Sequence, residues 1–127
     1  DEFKAVNDAG GHLAGDAVLV EVARRFQQAV RPGDTVARFG GDEFSVLLPA
    51  VGTAEAAIMV AGRLHTSLSV PIEAAGAPRS ISVSVGLAMA EHAEVDTAEL
   101  LRRADVAMYR AKKAGTARTA VFGVLPD

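Results

Sequence analysis

The chain contains no cysteine and no tryptophan, and aromatic residues make up only 5 % of its 127 residues. The lack of cysteine excludes disulfides and thiolate metal sites, and it fits a reducing compartment. The formal net charge of −3 leaves no basic footprint, so we expect no nucleic-acid partner. Long apolar runs are missing too, and the sequence therefore predicts no transmembrane segment. Any phosphate ligand must be held locally by a few cations, amides and a metal.

The chain also lacks an initiator methionine and an N-terminal signal pattern. It opens directly on a dense motif at Asp1-Glu2-Phe3, which suggests that it begins inside a domain. We interpret residues 1–127 as a single domain whose N-terminal part is missing.

The hydrophobic periodicity predicts an α/β domain with a mostly antiparallel central sheet flanked by helices. Thr53 and Thr97 are the expected N-caps of two of the helices, and the strict alternation over 80–85 favours an antiparallel strand. We expect a loop-rich opening over 1–16, helices over 17–29, 54–68 and 98–114, a weak extended stretch over 70–73, and strands over 35–39, 43–48, 80–85 and 120–122.

The most informative segment runs from Arg38 to Pro49. Gly40-Gly41 separates two apolar stretches, as in a β-hairpin with a primed turn. Asp42 and Glu43 follow the glycines directly. Carboxylates on a rigid hairpin tip, beside glycines that let a ligand approach the backbone, suit a divalent cation and a phosphate ester.

Three further segments accompany this hairpin in a fixed order: residues 1–16, residues 31–34 and residues 104–112. Together with Gly40-Gly41-Asp42-Glu43-Phe44, they make the chain resemble the GGDEF domain family of diguanylate cyclases over nearly its whole length. The resemblance implies the fold shared by nucleotidyl cyclases and polymerase palm domains, here without its first strand.

The implied reaction condenses two GTP molecules to the bacterial second messenger cyclic di-GMP, with release of two pyrophosphates. The resemblance also implies a homodimer in which each subunit binds one GTP, with Mg²⁺ or Mn²⁺ as cofactor. By the resemblance, Asp42 binds metal and helps to activate the 3′-hydroxyl. Glu43 either binds metal or shapes the turn. Gly40 and Gly41 match positions where the backbone passes close under the nucleotide.

Asn7 and Asp16 match the family's guanine-recognition pair. A carboxylate can accept from guanine N1–H and N2–H₂, and an amide can pair with the minor-groove edge of the base. Local sequence alone leaves a helix N-cap for Asp16 and an Asx-turn for Asn7 as alternatives. By the same resemblance, Phe3 and Lys4 belong to a tight turn whose amides hold terminal phosphates, and Lys112 binds phosphate.

Arg31-Pro32-Gly33-Asp34 matches the family's Arg-x-x-Asp product-inhibition site, and Arg63 aligns with an additional arginine there. The resemblance implies that Arg31 and Asp34 bind cyclic di-GMP. Without it, the segment reads as a turn at a helix end.

The chain departs from the family pattern at two places. Thr116 stands where the family has a phosphate-binding arginine, which Arg118 would replace only by a shifted path. The family's first metal-binding aspartate falls two residues before Asp1, outside the chain. We therefore expect weak or absent cyclase activity from the bare chain.

Two other functions are considered. One is a non-catalytic module that acts as a receptor for cyclic di-GMP or GTP, which Thr116 favours. The other is a cyclase for a different base, which the guanine-suited pair disfavours. In every case we expect a cytoplasmic domain for signal transduction, behind a sensor domain in a parent protein that is either free or membrane-anchored.

Overall fold

The structure, a computed structural model, describes residues 3–90, 96–115 and 118–123. The chain forms two compact units, the first ending at Ser82 and the second beginning at Val83. Helices and strands together confirm the predicted α/β class. In chain order they are α1 Phe3–Ala29, β1 Thr35–Arg38, β2 Phe44–Leu47, α2 Ala54–Ser67, β3 Ile72–Ala74, β4 Ala77–Arg79, β5 Val85–Leu87, α3 Thr97–Ala114 and β6 Thr119–Val121. None of the helices in the described ranges is long and apolar enough to cross a bilayer.

Helix α1 begins at Phe3, so the loop predicted over residues 1–16 is wrong for residues 3–16, while residues 1 and 2 lie outside the described range. The helix is kinked at Gly11, where φ is 78° and ψ is −179°. Gly10 and Gly11 have low helix propensity, which suggested a loop. The burial of apolar side chains on either side of the glycines stabilises the helix despite their low helix propensity. Val6 is 4 % exposed and Ala14 is 1 % exposed.

The core of the first unit forms where α1 packs against α2 and β3. Phe26 is 2 % exposed and meets Phe44 of β2 edge to face, with ring centroids 5.6 Å apart. Burying a side chain of this size contributes about 1.5–3 kcal/mol. The other buried apolar residues of these helices and strands are Val6, Ala14, Val18, Leu19, Val22, Ala57, Val60, Ala61, Leu64, Ile72 and Ala74.

Helix α2 starts as predicted. The Thr53 hydroxyl accepts a hydrogen bond of 3.1 Å from the backbone N–H of Ala56, and Glu55 lies in the first turn. This cap and the helical periodicity are both local sequence signals, so α2 could be predicted without tertiary information.

Strands β3 and β4 form an antiparallel hairpin that was predicted only as a weak extended stretch. Its tip consists of Ala75 and Gly76, with φ values of 53° and 76°. Two successive positive φ values are those of a type I′ turn, which closes two-residue hairpins.

In the second unit, β5 and β6 pair in parallel and both contact α3. The antiparallel strand predicted over 80–85 is therefore wrong, since only Val85 of that stretch lies in a strand. Alternation shows which residues suit a strand, but the partner decides where the strand forms and in which direction it pairs. A Cβ on Gly86 would collide with the α3 backbone at Ala104 and Met108, so glycine permits this close contact.

Helix α3 is capped by Asp96 rather than by Thr97, through an acceptor bond of 3.0 Å from the N–H of Ala98. Ala107 and Ala111 of α3 are buried, whereas Leu101 and Tyr109 are 38 % and 60 % exposed.

Candidate functional site

The acidic turn joins β1 to β2, which pair antiparallel with Arg38 opposite Phe44. The N–H of Phe39 donates to the Glu43 carbonyl at 2.8 Å, and the N–H of Glu43 donates to the Gly40 carbonyl at 3.1 Å. The turn therefore centres on Gly41-Asp42, one residue later than predicted. Gly40 and Gly41 have φ values of 98° and 54°, a conformation that glycine adopts without strain.

Arg38, which the sequence analysis missed, holds this turn from the end of β1. Its Nε donates a hydrogen bond of 2.9 Å to the Gly41 carbonyl. Only the folded turn brings the two groups together, although an arginine directly before such a hairpin is a usable signal.

Asp42 and Glu43 are both exposed, so a ligand can reach their carboxylates. Within the described parts of the chain, no three Asp, Glu or His side chains lie close enough to form a metal site. Mg²⁺ is commonly held by one or two carboxylates, with substrate phosphates and water completing its shell. The donor chemistry of this pair fits such an ion.

Asn7 lies in the first segment of α1, and its Oδ1 is buried without a hydrogen-bond partner. A Cβ on Gly15 would overlap this oxygen and lie 3.1 Å from the Phe3 ring. Glycine at 15 therefore lets the Asn7 side chain reach the residue that precedes Asp16. A buried acceptor without a donor costs about 1–3 kcal/mol, which a ligand N–H would recover.

Asp16 lies inside α1 and is exposed, so the N-cap alternative is wrong. It lines a cleft of about 610 Å³ whose other residues are Ala17, Val20, Glu21, Arg25, Pro71, Ile72 and Glu73. The cleft combines carboxylates with an apolar wall, which suits a flat ligand that donates hydrogen bonds.

Glu21, Arg24 and Arg25 form an ion-pair cluster at one side of this cleft, which we did not predict from the sequence. Glu21 accepts hydrogen bonds from Arg24 and Arg25, which lower its pKa from 4.5 to about 2. Arg25 Nη1 in turn donates to the carbonyls of Ser67 at 3.0 Å and Val70 at 2.6 Å. Arg25 thus ties α1 to the connection between α2 and β3. The signal was present, because Glu21 is spaced from the arginines at i+3 and i+4 on one helix.

Phe3 and Lys4 are the first residues of α1, rather than members of a separate tight turn. The N–H groups of a helix's first turn have no intrahelical acceptors, and they favour anions.

Arg31 and Asp34 form a closed turn after α1. The Arg31 N–H donates to Asp34 Oδ2 and the Asp34 N–H donates to the Arg31 carbonyl, each at 3.0 Å. Arg63 Nε donates to the Ala29 carbonyl at 3.0 Å, which brings a second guanidinium to the same end of α1. A cleft of about 450 Å³ adjoins this turn and is lined by Gln27, Val30, Arg31, Pro32, Asp34, Thr35 and Val36.

Lys112 lies exposed in the last turn of α3, in the second unit. The Arg118 side chain lies near Gly115, since its guanidinium Nε would be 3.4 Å from a Cβ placed on that glycine. Thr116 lies outside the described residues.

Helices packed on short strand pairs, with an acidic Gly-Gly hairpin, define an α/β domain of the GGDEF type. The chain belongs to the family described as "Diguanylate cyclase, GGDEF domain", whose model matches residues 1–118. It is 44 % identical over 115 residues to the diguanylate cyclase TpbB of Pseudomonas aeruginosa, covering 89 % of the chain but only 26 % of TpbB.

Solved structures agree with this assignment. The crystallised GGDEF domain of TpbB aligns with a TM-score of 0.91 at 40 % identity, covering 98 % of this chain and 78 % of that one. The GGDEF domain of DgcB from Caulobacter crescentus, solved in complex with c-di-GMP, aligns with a TM-score of 0.82 at 27 % identity. That match covers 98 % of this chain and 74 % of the DgcB chain.

Proposed function

We propose that this chain is the GTP-binding part of a diguanylate cyclase that condenses two GTP molecules to cyclic di-GMP and two pyrophosphates. The observation that carries the proposal is the buried Asn7 Oδ1, which has no partner and lies against the residue before Asp16. The guanine edge offers the donors that such a pair requires, since its N1–H and N2–H₂ are adjacent. Adenine presents no matching pair of donors.

Asn7 Oδ1 accepts from the guanine amino group, and the Asp16 carboxylate accepts from N1–H. The amides of Phe3 and Lys4 face the terminal phosphates at the start of α1. Together these contacts of the first unit fix the base at one end of the nucleotide and the leaving group at the other. Lys112, in the second unit, is assigned to phosphate by its match to the family motif alone.

Asp42 and Glu43 would hold the divalent ion, and Gly40 and Gly41 keep the backbone of the turn free of side chains. Bound Mg²⁺ or Mn²⁺ would neutralise phosphate charge and acidify the attacking hydroxyl. In a homodimer, each 3′-oxygen forms a bond to the α-phosphorus of the opposing GTP. The bond from that phosphorus to pyrophosphate breaks, and the hydroxyl proton passes to the Asp42 carboxylate and from there to solvent.

Arg31, Asp34 and Arg63 bind the product cyclic di-GMP and thereby inhibit the reaction. Two guanidinium groups at one end of α1, beside an open cleft, suit the two phosphates of the product. The DgcB relative was solved with this dinucleotide, which supports the ligand class.

Because the substrate is GTP, the domain works in the cytoplasm, and its parent protein carries a sensor domain that controls dimerisation. The chain spans 26 % of the length of TpbB, which leaves room for such a module in proteins of this kind.

The deciding experiment has two parts. The parent protein is incubated with GTP and Mg²⁺ or Mn²⁺, and the products are identified by mass spectrometry. Isothermal titration then compares GTP with inosine triphosphate, which lacks the guanine amino group, for the wild-type chain, Asn7→Ala and Gln28→Ala. We expect preference for GTP in the wild type and in the exposed amide control Gln28→Ala, and loss of that preference in Asn7→Ala.

A parent that binds cyclic di-GMP but makes none from GTP would instead support the receptor function. Thr116, in place of the family's arginine, is the observation that favours this second candidate. A chain that binds GTP and inosine triphosphate equally would refute the proposed roles of Asn7 and Asp16.

A further inference from the structure

Gly10, the residue before the kink of α1, is held in a tight three-sided contact. A Cβ placed on it would lie 2.6 Å from the Ala14 Cβ, 3.1 Å from Arg79 Nη2 and 3.4 Å from the Ala75 Cβ. The last two belong to the β3–β4 hairpin. The β3–β4 hairpin therefore packs closely against the backbone of α1 at Gly10, which has no side chain to keep the two elements apart.

The tip of this hairpin is strained. Ala75 has a φ of 53°, and in the described part of the chain it is the only non-glycine residue with a positive φ. Arg79 Nε donates to the Ala74 carbonyl at 3.3 Å, so its guanidinium spans the tip and reaches Gly10. Strained residues persist where the surrounding contacts fix them, and they cluster at functional sites.

The space where a Cβ of the kink residue Gly11 would lie is open, and its φ of 78° interrupts the helix. Asn7 lies on the segment before Gly11 and Asp16 on the segment after it. Their separation therefore depends on how firmly the neighbouring Gly10 is held. The cation of Arg79 also complements the carbonyl end of the segment 3–10.

We propose that the β3–β4 hairpin, through Arg79 and Ala75, holds the kink of α1 so that Asn7 and Asp16 read guanine together. Arg79 is then a positioning residue for base selectivity, although it does not touch the nucleotide. The inference rests on the proposed function of the guanine pair. It assigns a role to a hairpin that carries none of the family's motif residues.

The test measures the ratio of GTP affinity to inosine triphosphate affinity by isothermal titration. Arg79→Met keeps the apolar stem and removes the guanidinium, and Ala75→Gly relieves the strain and removes the Cβ contact. We expect each to lower the ratio about three- to tenfold, through weaker GTP binding. In an Asn7→Ala background, Arg79→Met should lower the ratio no further, because the two residues act through one contact. Arg102→Met, at an exposed arginine of α3 that lies outside the proposed nucleotide contacts, is the matched control.

Equal loss of affinity for both nucleotides, or an unchanged ratio, would overturn the proposal, since a merely structural role does not select between bases. If the wild type shows no preference for GTP, the proposed guanine pair fails, and the positioning role of Arg79 in base selectivity fails with it. Hydrogen exchange of the ligand-free chain separates a failure of the guanine pair from a failure of Arg79 to fix the kink. Faster exchange at residues 12–16 in Arg79→Met, and not in Arg102→Met, supports the role of Arg79 in fixing the kink. Unchanged exchange refutes it independently of any ligand.

Discussion

Arg38 Nε donates a hydrogen bond of 2.9 Å to the carbonyl of Gly41, so the last residue of β1 holds the tip of the acidic turn. The turn's two glycines have positive φ values, and the space where a Cβ of either would lie is open, so a side chain at these positions would add no packing to the tip. A hydrogen bond from a charged donor contributes about 1.5–3 kcal/mol. The order of the carboxylates therefore depends on a residue outside the motif.

Replacing Arg38 with methionine should loosen the turn without unfolding the domain, because Arg38 is exposed. We expect faster hydrogen exchange of the Phe39 and Glu43 amides, which close the turn, and at least a tenfold loss of turnover in the parent protein. Arg102→Met, at an exposed arginine of α3, serves as the control. Unchanged exchange at both amides would show that the Arg38 bond does not order the tip.

Asp42→Asn should abolish turnover and leave stability nearly unchanged. The side chain is exposed, and surface substitutions usually change the free energy of unfolding by less than about 0.5 kcal/mol. The amide removes the negative charge that a divalent cation requires. Product formation by the parent protein and the thermal midpoint of the chain are measured together. Full turnover by the variant would rule out a metal-binding or activating role for Asp42.

Gly15→Ala should cost both stability and GTP affinity, because the new methyl group overlaps Asn7 Oδ1. Overpacking of this kind typically costs about 1–3 kcal/mol. Gly62→Ala is the matched control, since its Cβ would meet no atom within 4 Å and it lies inside α2. The control should gain up to about 1 kcal/mol from helix propensity. Urea unfolding of the two variants should move in opposite directions, and movement in the same direction would contradict the proposed contact.

Arg31→Ala should weaken cyclic di-GMP binding about tenfold or more, because it removes one of two guanidinium groups at the end of α1. The same change should leave GTP affinity unaltered. Titration calorimetry with each nucleotide separates the two effects. Equal affinity of wild type and variant for cyclic di-GMP would remove this turn from the product site.

Stability should depend on pH through Glu21. Its pKa is about 2 in the folded chain, below the ordinary value of 4.5, chiefly because Arg24 and then Arg25 hydrogen-bond its carboxylate. A lowered pKa means that the unfolded chain binds a proton first, so the stabilisation is complete above about pH 4.5 and is lost as the pH falls toward 2. Urea unfolding of wild type and Glu21→Gln should differ at pH 7 and converge near pH 2. A constant difference across that range would contradict the assignment.

The parts of the fold that depend on local signals were predictable. Helix α2 with its Thr53 cap and the β1–β2 hairpin both appear where the sequence indicates them. The prediction of an antiparallel strand over 80–85 was wrong because alternation does not identify the partner strand. Strand β5 pairs in parallel with β6. The opening helix was missed because glycine propensity argued against it, whereas burial of Val6 holds it.

The family motif supplied the site residues, while their supporting contacts came only from the structure. Arg38, Arg79 and Arg25 each hydrogen-bond backbone carbonyls that the fold brings within reach. Backbone carbonyls leave no pattern in side-chain sequence, so the sequence does not show which carbonyls each of these arginines reaches. Asn7 Oδ1 is the converse case, since its lack of a partner is also visible only in three dimensions.

The contact between Gly86 and the backbone of α3 bears on how mutational maps of this domain should be interpreted. Every other residue type at position 86 brings a Cβ into the helix backbone, which cannot yield as a flexible side chain would. In a survey of all substitutions, position 86 would thus be as intolerant as Asp42, yet for the opposite reason. Loss at Gly86 removes the folded protein, whereas loss at Asp42 leaves a folded but inactive one. A survey that reads activity alone would place both in the active site, and only a parallel measurement of protein abundance would separate them.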